Sequence, residues 1–316
     1  MTGFTHFSNI LPDPLNPIGT AGETLTPGAA TQDSHVGISS LKVTSKSESL
    51  SSRTNSGRLV SSMSGKHSWQ FDLSYNPMTR EEFEPVYNFL LQKKGRYSPF
   101  YFTLPTHLTT RNTTFWNNLN SGTVTMVIEN EEVSSSVLRI GREYFISTQG
   151  NTSWLNVMDP ANGSSNLNHV FRATNTASGS GYARELYMVP GQDSFLLTSN
   201  NSYSAAVHGT PLPGDFFTIE DSYDSNHTKL YRVTRVETVS NYQGNNPPPS
   251  NSETTNNEAI RVHFMPPLRR YVRYSTAQVN FKDPRPRVML TTDVQDYSLD
   301  VDNLYSFSLK LEEAEK

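Results

Sequence analysis

Trp69, Phe71, Leu73 and Tyr75 alternate strictly with Ser68, Gln70, Asp72 and Ser74. Successive side chains on a strand point to opposite faces, so this spacing predicts a half-buried β-strand. The same period returns near the end of the chain, where Tyr305, Phe307, Leu309 and Leu311 alternate with Ser306, Ser308 and Lys310. The matching patterns place the two segments in one sheet system. An earlier strand is expected where Val36, Ile38, Leu41 and Val43 sit among Ser, Lys and Thr. Between them lies one predicted helix. Thr79 and Glu82 have capping-box spacing, and Met78 and Phe83 flank the cap as a hydrophobic staple. Phe83, Val86, Tyr87, Leu90 and Leu91 then form one apolar stripe at helical spacing. Lys93 and Lys94 suit the negative end of the helix dipole and Gly95 a left-handed stop. Pro85 lies past the first turn, where it removes a hydrogen bond or bends the helix.

From residue 111 to 262 the pattern breaks into short apolar runs between turns. Val124–Ile128, Arg142–Ile146, Arg184–Met188, Phe216–Ile219 and Lys229–Val236 recur with Gly, Asn and Asp between them. Such spacing predicts a β-sandwich or barrel. The expected organisation is a mainly β chain with one flanking helix. Residues 35–110 and 263–316 form one split β domain, and residues 111–262 an inserted β domain. Residues 1–34 are rich in Pro, Gly, Thr and Asn without periodicity, and read as an extended arm, either disordered or ordered only against a neighbouring subunit. Residues 244–257 form a low-complexity loop between two strands, expected as an exposed excursion.

Composition narrows the function. Of 316 residues, 34% are apolar and 18% charged, with 15 Tyr and 16 Phe, a polar and aromatic-rich profile that favours strands. Lys+Arg 26 against Asp+Glu 30 leaves a net charge of −4, which disfavours a nucleic-acid binder driven by phosphate neutralisation. Zero cysteines exclude disulfides, thiolate metal sites and cysteine nucleophiles. No run approaches the about 18 apolar residues of a membrane helix, so no membrane insertion is expected. Met1–Leu11 lacks the basic-then-apolar pattern of a secretory signal.

No enzymatic constellation stands out, so no catalytic residue, metal or cofactor is expected. The eight histidines show no His-x-x-x-His spacing. Gly65-Lys66 lacks the earlier glycine and the following hydroxyl of a phosphate loop. Asp293, Asp296, Asp300 and Asp302 suggest a calcium loop, but counting Asp300 as position one puts Leu311 where the bidentate Glu belongs. Turn-forming aspartates explain them better. Asn-x-Ser/Thr triplets at Asn112, Asn151, Asn162 and Asn226 read as chance in so Asn/Ser/Thr-rich a chain. Glu129, Glu131 and Glu132 are the nearest paired carboxylates for glycan hydrolysis. The aromatic run Tyr97–Phe102 suits core packing more than a sugar platform. Trp154 is expected as an exposed aromatic of the insertion.

The run Trp69-Gln-Phe-Asp-Leu-Ser-Tyr-Asn-Pro-Met-Thr-Arg-Glu-Glu-Phe, the helix, then Gly95-Arg-Tyr-Ser-Pro-Phe-Tyr-Phe resembles tail-hub proteins of tailed bacteriophages. Pro213-Gly-Asp-Phe-Phe-Thr-Ile, Lys229-Leu-Tyr-Arg-Val-Thr, Phe264-Met-Pro-Pro-Leu-Arg and Leu304-Tyr-Ser-Phe-Ser-Leu-Lys-Leu-Glu-Glu are similar to further segments of that group. The resemblance covers patches from about residue 36 to 316. It implies a tail-tube-like β-sandwich or barrel with one packed helix and an inserted β domain. It also implies a virion protein, assembled in the host cytoplasm, that forms a ring, commonly a hexamer, at the distal end of the tail. Such a ring joins the tail tube protein to baseplate or tip proteins and lines a channel that DNA crosses without specific binding. The elaborated insertion departs from the pattern and leaves both the hub and an adjoining baseplate or neck ring open. A carbohydrate- or receptor-binding module of the tail tip is the alternative.

Subunit contacts are expected in the N-terminal arm and at two proline-stiffened basic turns. One turn carries Pro266, Pro267, Arg269 and Arg270; the other carries Arg285 and Arg287, whose guanidinium groups suit carboxylates of a neighbour.

Overall fold

The computed structural model describes residues 9–12, 38–105, 108–129, 132–159, 163–199, 202–224, 226–239, 241, 258–274 and 277–315. Most of the expected arm, the 244–257 loop, Val36, Glu131 and Asn162 lie outside these residues. The chain is mainly β, with strands gathered around three hydrophobic cores.

The first core lies under an antiparallel sheet. Its order is β1 (Ile38–Arg53), β2 (Leu59–Tyr75), β18 (Tyr305–Glu313), β16 (Arg287–Leu290) and β3 (Phe100–Tyr101), with β17 (Tyr297–Leu299) beside β18. The two alternating segments of the sequence are direct neighbours here, with Leu309 opposite Leu73 and Leu311 opposite Phe71. Their apolar positions share one face and are buried together. Helix α1 (Arg80–Gln92) covers that face with Phe83, Val86, Phe89 and Leu90. The expected cap is present, with Thr79 N donating to Glu82 Oε2 at 2.8 Å. The helix runs through Pro85 to Gln92 and is capped by Lys93; two left-handed residues follow, Lys94 at φ +53° and Gly95 at φ +64°. A Cβ there would sit 2.5 Å from Asp293 Oδ1, the oxygen that accepts Arg96 N, so both the turn and the close approach require glycine. From the N-terminal segment, Asn9–Pro12 lies along the edge strand β3: Leu11 N donates to Tyr101 O, Tyr101 N donates to Asn9 O, and Leu11 is buried in the first core.

The second core fills a closed antiparallel barrel. Around it run β10 (Ser194–Ser199), β13 (Ile260–Met265), β12 (Leu230–Glu237), β11 (Phe216–Glu220), β15 (Gln278–Asn280) and β4 (Met126–Glu129), which returns to β10. Ile128, Leu197, Phe217, Ile219, Tyr231, Val233 and Phe264 belong to its core. Phe216 of β11 and Leu230 of β12 instead pack into the first core. These strands are apolar on both faces because they are shared walls, which is why Phe216-Phe217-Thr218-Ile219 shows no alternation. Strand β15 comes from the segment read as part of the 263–316 half, yet its partners are β11 and β4 of the barrel.

The third core lies between β4 and β10 in sequence. It belongs to a four-stranded sheet of order β5 (Glu132–Ser134), β8 (Tyr182–Glu185), β6 (Glu143–Thr148) and β7 (Val170–Arg172). The expected run Arg184–Met188 divides at this point, its first half in β8 and its second in β9 (Tyr187–Met188), which pairs with β14 (Val272–Arg273). Two helices were not expected, α2 (Thr113–Asn120) and α3 (Ala205–His208). Asn112 Oδ1 caps α2 by accepting Phe115 N, and Phe115 is buried in the barrel core.

Candidate functional site

Strands β1 and β2 extend well past the sheet that they begin in. Their register breaks between Ser47 and Ser49, and beyond it the pair continues alone to the turn Thr54–Arg58. From Ser49 to the turn this ribbon reaches roughly 20 Å at about 3.3 Å per residue. Every side chain from Ser45 to Ser62 is exposed. Leu50 is 73% exposed, Leu59 61% and Val60 50%. Leu50 faces Ser62 and Val60 faces Ser52, so Leu50 and Val60 are diagonal neighbours on one face, with Leu59 on the other. An isolated two-stranded ribbon is marginal in water, and apolar side chains at its tip add no stability to the monomer.

The base of the ribbon is anchored where sheet and barrel meet. Lys229, just ahead of β12, is buried, and its Nζ pairs with Glu313 Oε2 and with Glu315 Oε1 at 2.8 Å while donating to His67 O at 2.7 Å. The Glu313 carboxylate also accepts Leu230 N at 2.7 Å and Trp69 N at 3.2 Å. Trp69 Nε1 donates to Leu230 O at 2.9 Å, and its ring stands edge-on to Phe216 at 5.1 Å. Burial pushes the Glu313 carboxyl above its ordinary range, against the pull of Lys229 and the two amides. Burial, followed by the Lys229 and Arg269 charges, pushes His67 down to about 4. The cluster fixes β2, β18 and β12 to one another.

The residues singled out as subunit contacts are all engaged within the chain. Pro266 is buried and Pro267 half-buried, and the following Leu268 enters the barrel core. Arg269 Nε lies 3.6 Å from Glu315 Oε2, which joins that turn to the Lys229 cluster. Arg270 Nε donates to Asp224 Oδ2 at 2.7 Å. Arg285 pairs with Asp283, and Arg287 Nη1 donates to Ala314 O at 3.3 Å. The arginines thus have carboxylate or carbonyl partners within the same chain.

Comparison with protein-family models and with curated proteins yields no match. The tail-hub likeness therefore rests on the residue patterns alone.

Other expectations resolve locally. Trp154, expected on the surface, is buried against Phe171 with its Nε1 donating to Gln149 O at 2.8 Å. Glycine makes this possible, because a Cβ on Gly181 would lie 2.6 Å from Trp154 Cζ2. In the run Tyr97–Phe102, Phe100 and Phe102 are core residues and Tyr97 is exposed. Asp300 Oδ1 accepts Val301 N, as a turn aspartate does. Glu132 is drawn to Ser147 and Arg184. Lys229 and Glu313 were missed, although one signal was available: Glu313 continues the inward series Phe307, Leu309, Leu311, where a solvated acid does not belong.

Proposed function

We propose that this chain is a structural assembly subunit: a phage-tail ring component that joins the tail tube to baseplate or tip proteins, with DNA passing through its lumen. The observation that carries this reading is the two-stranded ribbon Ser49–Ser62, which pairs with no third strand among the described residues and exposes Leu50, Leu59 and Val60. A segment of this kind gains its stabilising contacts from a neighbouring copy, and repetition of one such contact around an axis closes a ring. The rigid Lys229–Glu313 anchor supports the reading, because a docking arm transmits orientation only from a fixed base. The mild negative charge also suits a lumen that must not hold phosphates.

The test is a triple substitution at the tip, Leu50→Ser, Leu59→Ser and Val60→Ser. Sedimentation velocity should show the assembled species of the wild-type chain replaced by monomer, with the melting temperature of the monomer unchanged. An identical distribution of species for wild type and variant contradicts the proposal.

A further inference from the structure

Strand β17 is a free edge. It pairs with β18 on one side, Tyr297 opposite Phe307 and Leu299 opposite Tyr305, and with no strand on the other among the described residues. Its apolar side chains stay uncovered. The Tyr297 ring lies 5.0 Å from Phe83 and 5.2 Å from Tyr87, yet the residue is exposed. Leu299 is exposed as well, and Val294 and Val301 flank the strand, Val301 at 92% exposure. An apolar edge of this kind is a template for a further strand.

The charge around this edge has one sign. From Thr291 to Ser308 the chain carries Asp293, Asp296, Asp300 and Asp302 and no Lys, Arg or His. All four aspartates are exposed. Asp293 accepts Arg96 N and Asp300 accepts Val301 N, whereas Asp296 and Asp302 have no ion-pair partner among the described residues. The ribbon has the opposite sign. From Ser49 to Ser62 it carries Arg53 and Arg58 and no acid, beside the exposed Leu50, Leu59 and Val60. Both arginines are exposed and form no ion pair among the described residues. Apolar groups and unneutralised charge thus meet their complement when ribbon meets β17, while ribbon against ribbon, or edge against edge, brings like charges together.

Ribbon and edge lie apart within one chain. Strand β2 runs from the ribbon at Leu59 to Ser74, which faces Ser308, next to the β18 residues that hold β17. The two surfaces therefore occupy opposite ends of the β2–β18 pair, separated by roughly 50 Å of strand at about 3.3 Å per residue.

We propose that the ribbon of one copy docks along the β17 edge of a second copy, its apolar tip against Leu299 and Val301 and its Arg53 and Arg58 against Asp296 and Asp302. This rests on the assembly reading and deepens it by naming the surface that receives the ribbon. The contact joins two different surfaces, so it is head-to-tail, and every copy offers one of each.

The experiment is a charge swap followed by sedimentation velocity at low ionic strength. One variant carries Arg53→Glu with Arg58→Glu; the other carries Asp296→Lys with Asp302→Lys, which leaves the Asp293 and Asp300 hydrogen bonds in place. Each variant alone should self-associate at least about tenfold more weakly than the wild-type chain. An equimolar mixture of the two should recover assembly, because each ribbon then finds an edge of opposite charge. Melting temperatures show that the variants are folded; should one fail to fold, Arg53→Gln with Arg58→Gln, or Asp296→Asn with Asp302→Asn, is read in its place, with weakened assembly again expected. If the wild-type chain assembles and either variant assembles undiminished, this inference is overturned while the assembly reading stands, and another surface receives the ribbon. Loss in both variants without recovery in the mixture overturns it too. A wild-type chain that stays monomeric removes the assembly reading and this inference with it.

Discussion

Lys229 and Glu313 leave water together, and neither is tolerable alone. A buried ion pair adds little net stability, but removal of one partner strands the other charge and costs about 3–5 kcal/mol. Lys229→Met should therefore be strongly destabilising in urea unfolding. Adding Glu313→Gln should recover part of that loss, because no charge is left to bury and the amide oxygen still accepts Leu230 N, the shorter of the two backbone hydrogen bonds. Strict additivity of the two substitutions would show that the pair is not coupled. His227 acts through its proton. Burial pushes it from its ordinary value of 6.5 down to about 4. Between those values the unfolded chain binds the proton and the folded chain does not, so stability falls as pH is lowered from 6.5 to about 4. His67 contributes in the same direction. His227→Gln should flatten this part of the pH profile of the melting temperature; an unchanged slope would mean that His227 takes up its proton equally in both states.

Among the elements, β2 and α1 were legible because a single face carries the information. Trp69 to Tyr75 have one buried side, and Thr79 with Glu82 states where the helix begins. Helix α2 was not legible, since Thr113–Asn120 is too short for an apolar stripe and its Thr residues favour strands. Strand β15 gave no sign of its sheet, because three residues with one buried position fit either the barrel or the first sheet. Trp154 was misplaced because indole burial there depends on Gly181, just ahead of β8, a long-range condition with no local signature. At the end of α1, Gly95→Ala should cost about 1–3 kcal/mol, through both its positive φ and the approach of Asp293. Asp293→Ala should relieve the 2.5 Å approach of its Oδ1 but keep the Cα approach at 3.0 Å and the positive φ, and equilibrium unfolding of the two single variants and the double variant separates this coupling from the lost Arg96 N hydrogen bond.

Across the described residues, the first two cores share a wall, a third core lies under its own four-stranded sheet, and one long ribbon is left over. Phe216 and Leu230 give the barrel a second apolar surface against the first sheet, and the Lys229 cluster pins that contact. The sheet and the barrel are thus pinned to each other, while the ribbon leaves backbone edges and apolar side chains exposed. The proposed role requires mutual docking of identical copies. Its most direct test is symmetry-averaged electron microscopy of the purified chain at high concentration, alone and with a tail tube protein. The account predicts closed rings of one fixed rotational order with the ribbon bridging adjacent subunits. Monomeric particles under both conditions would contradict it.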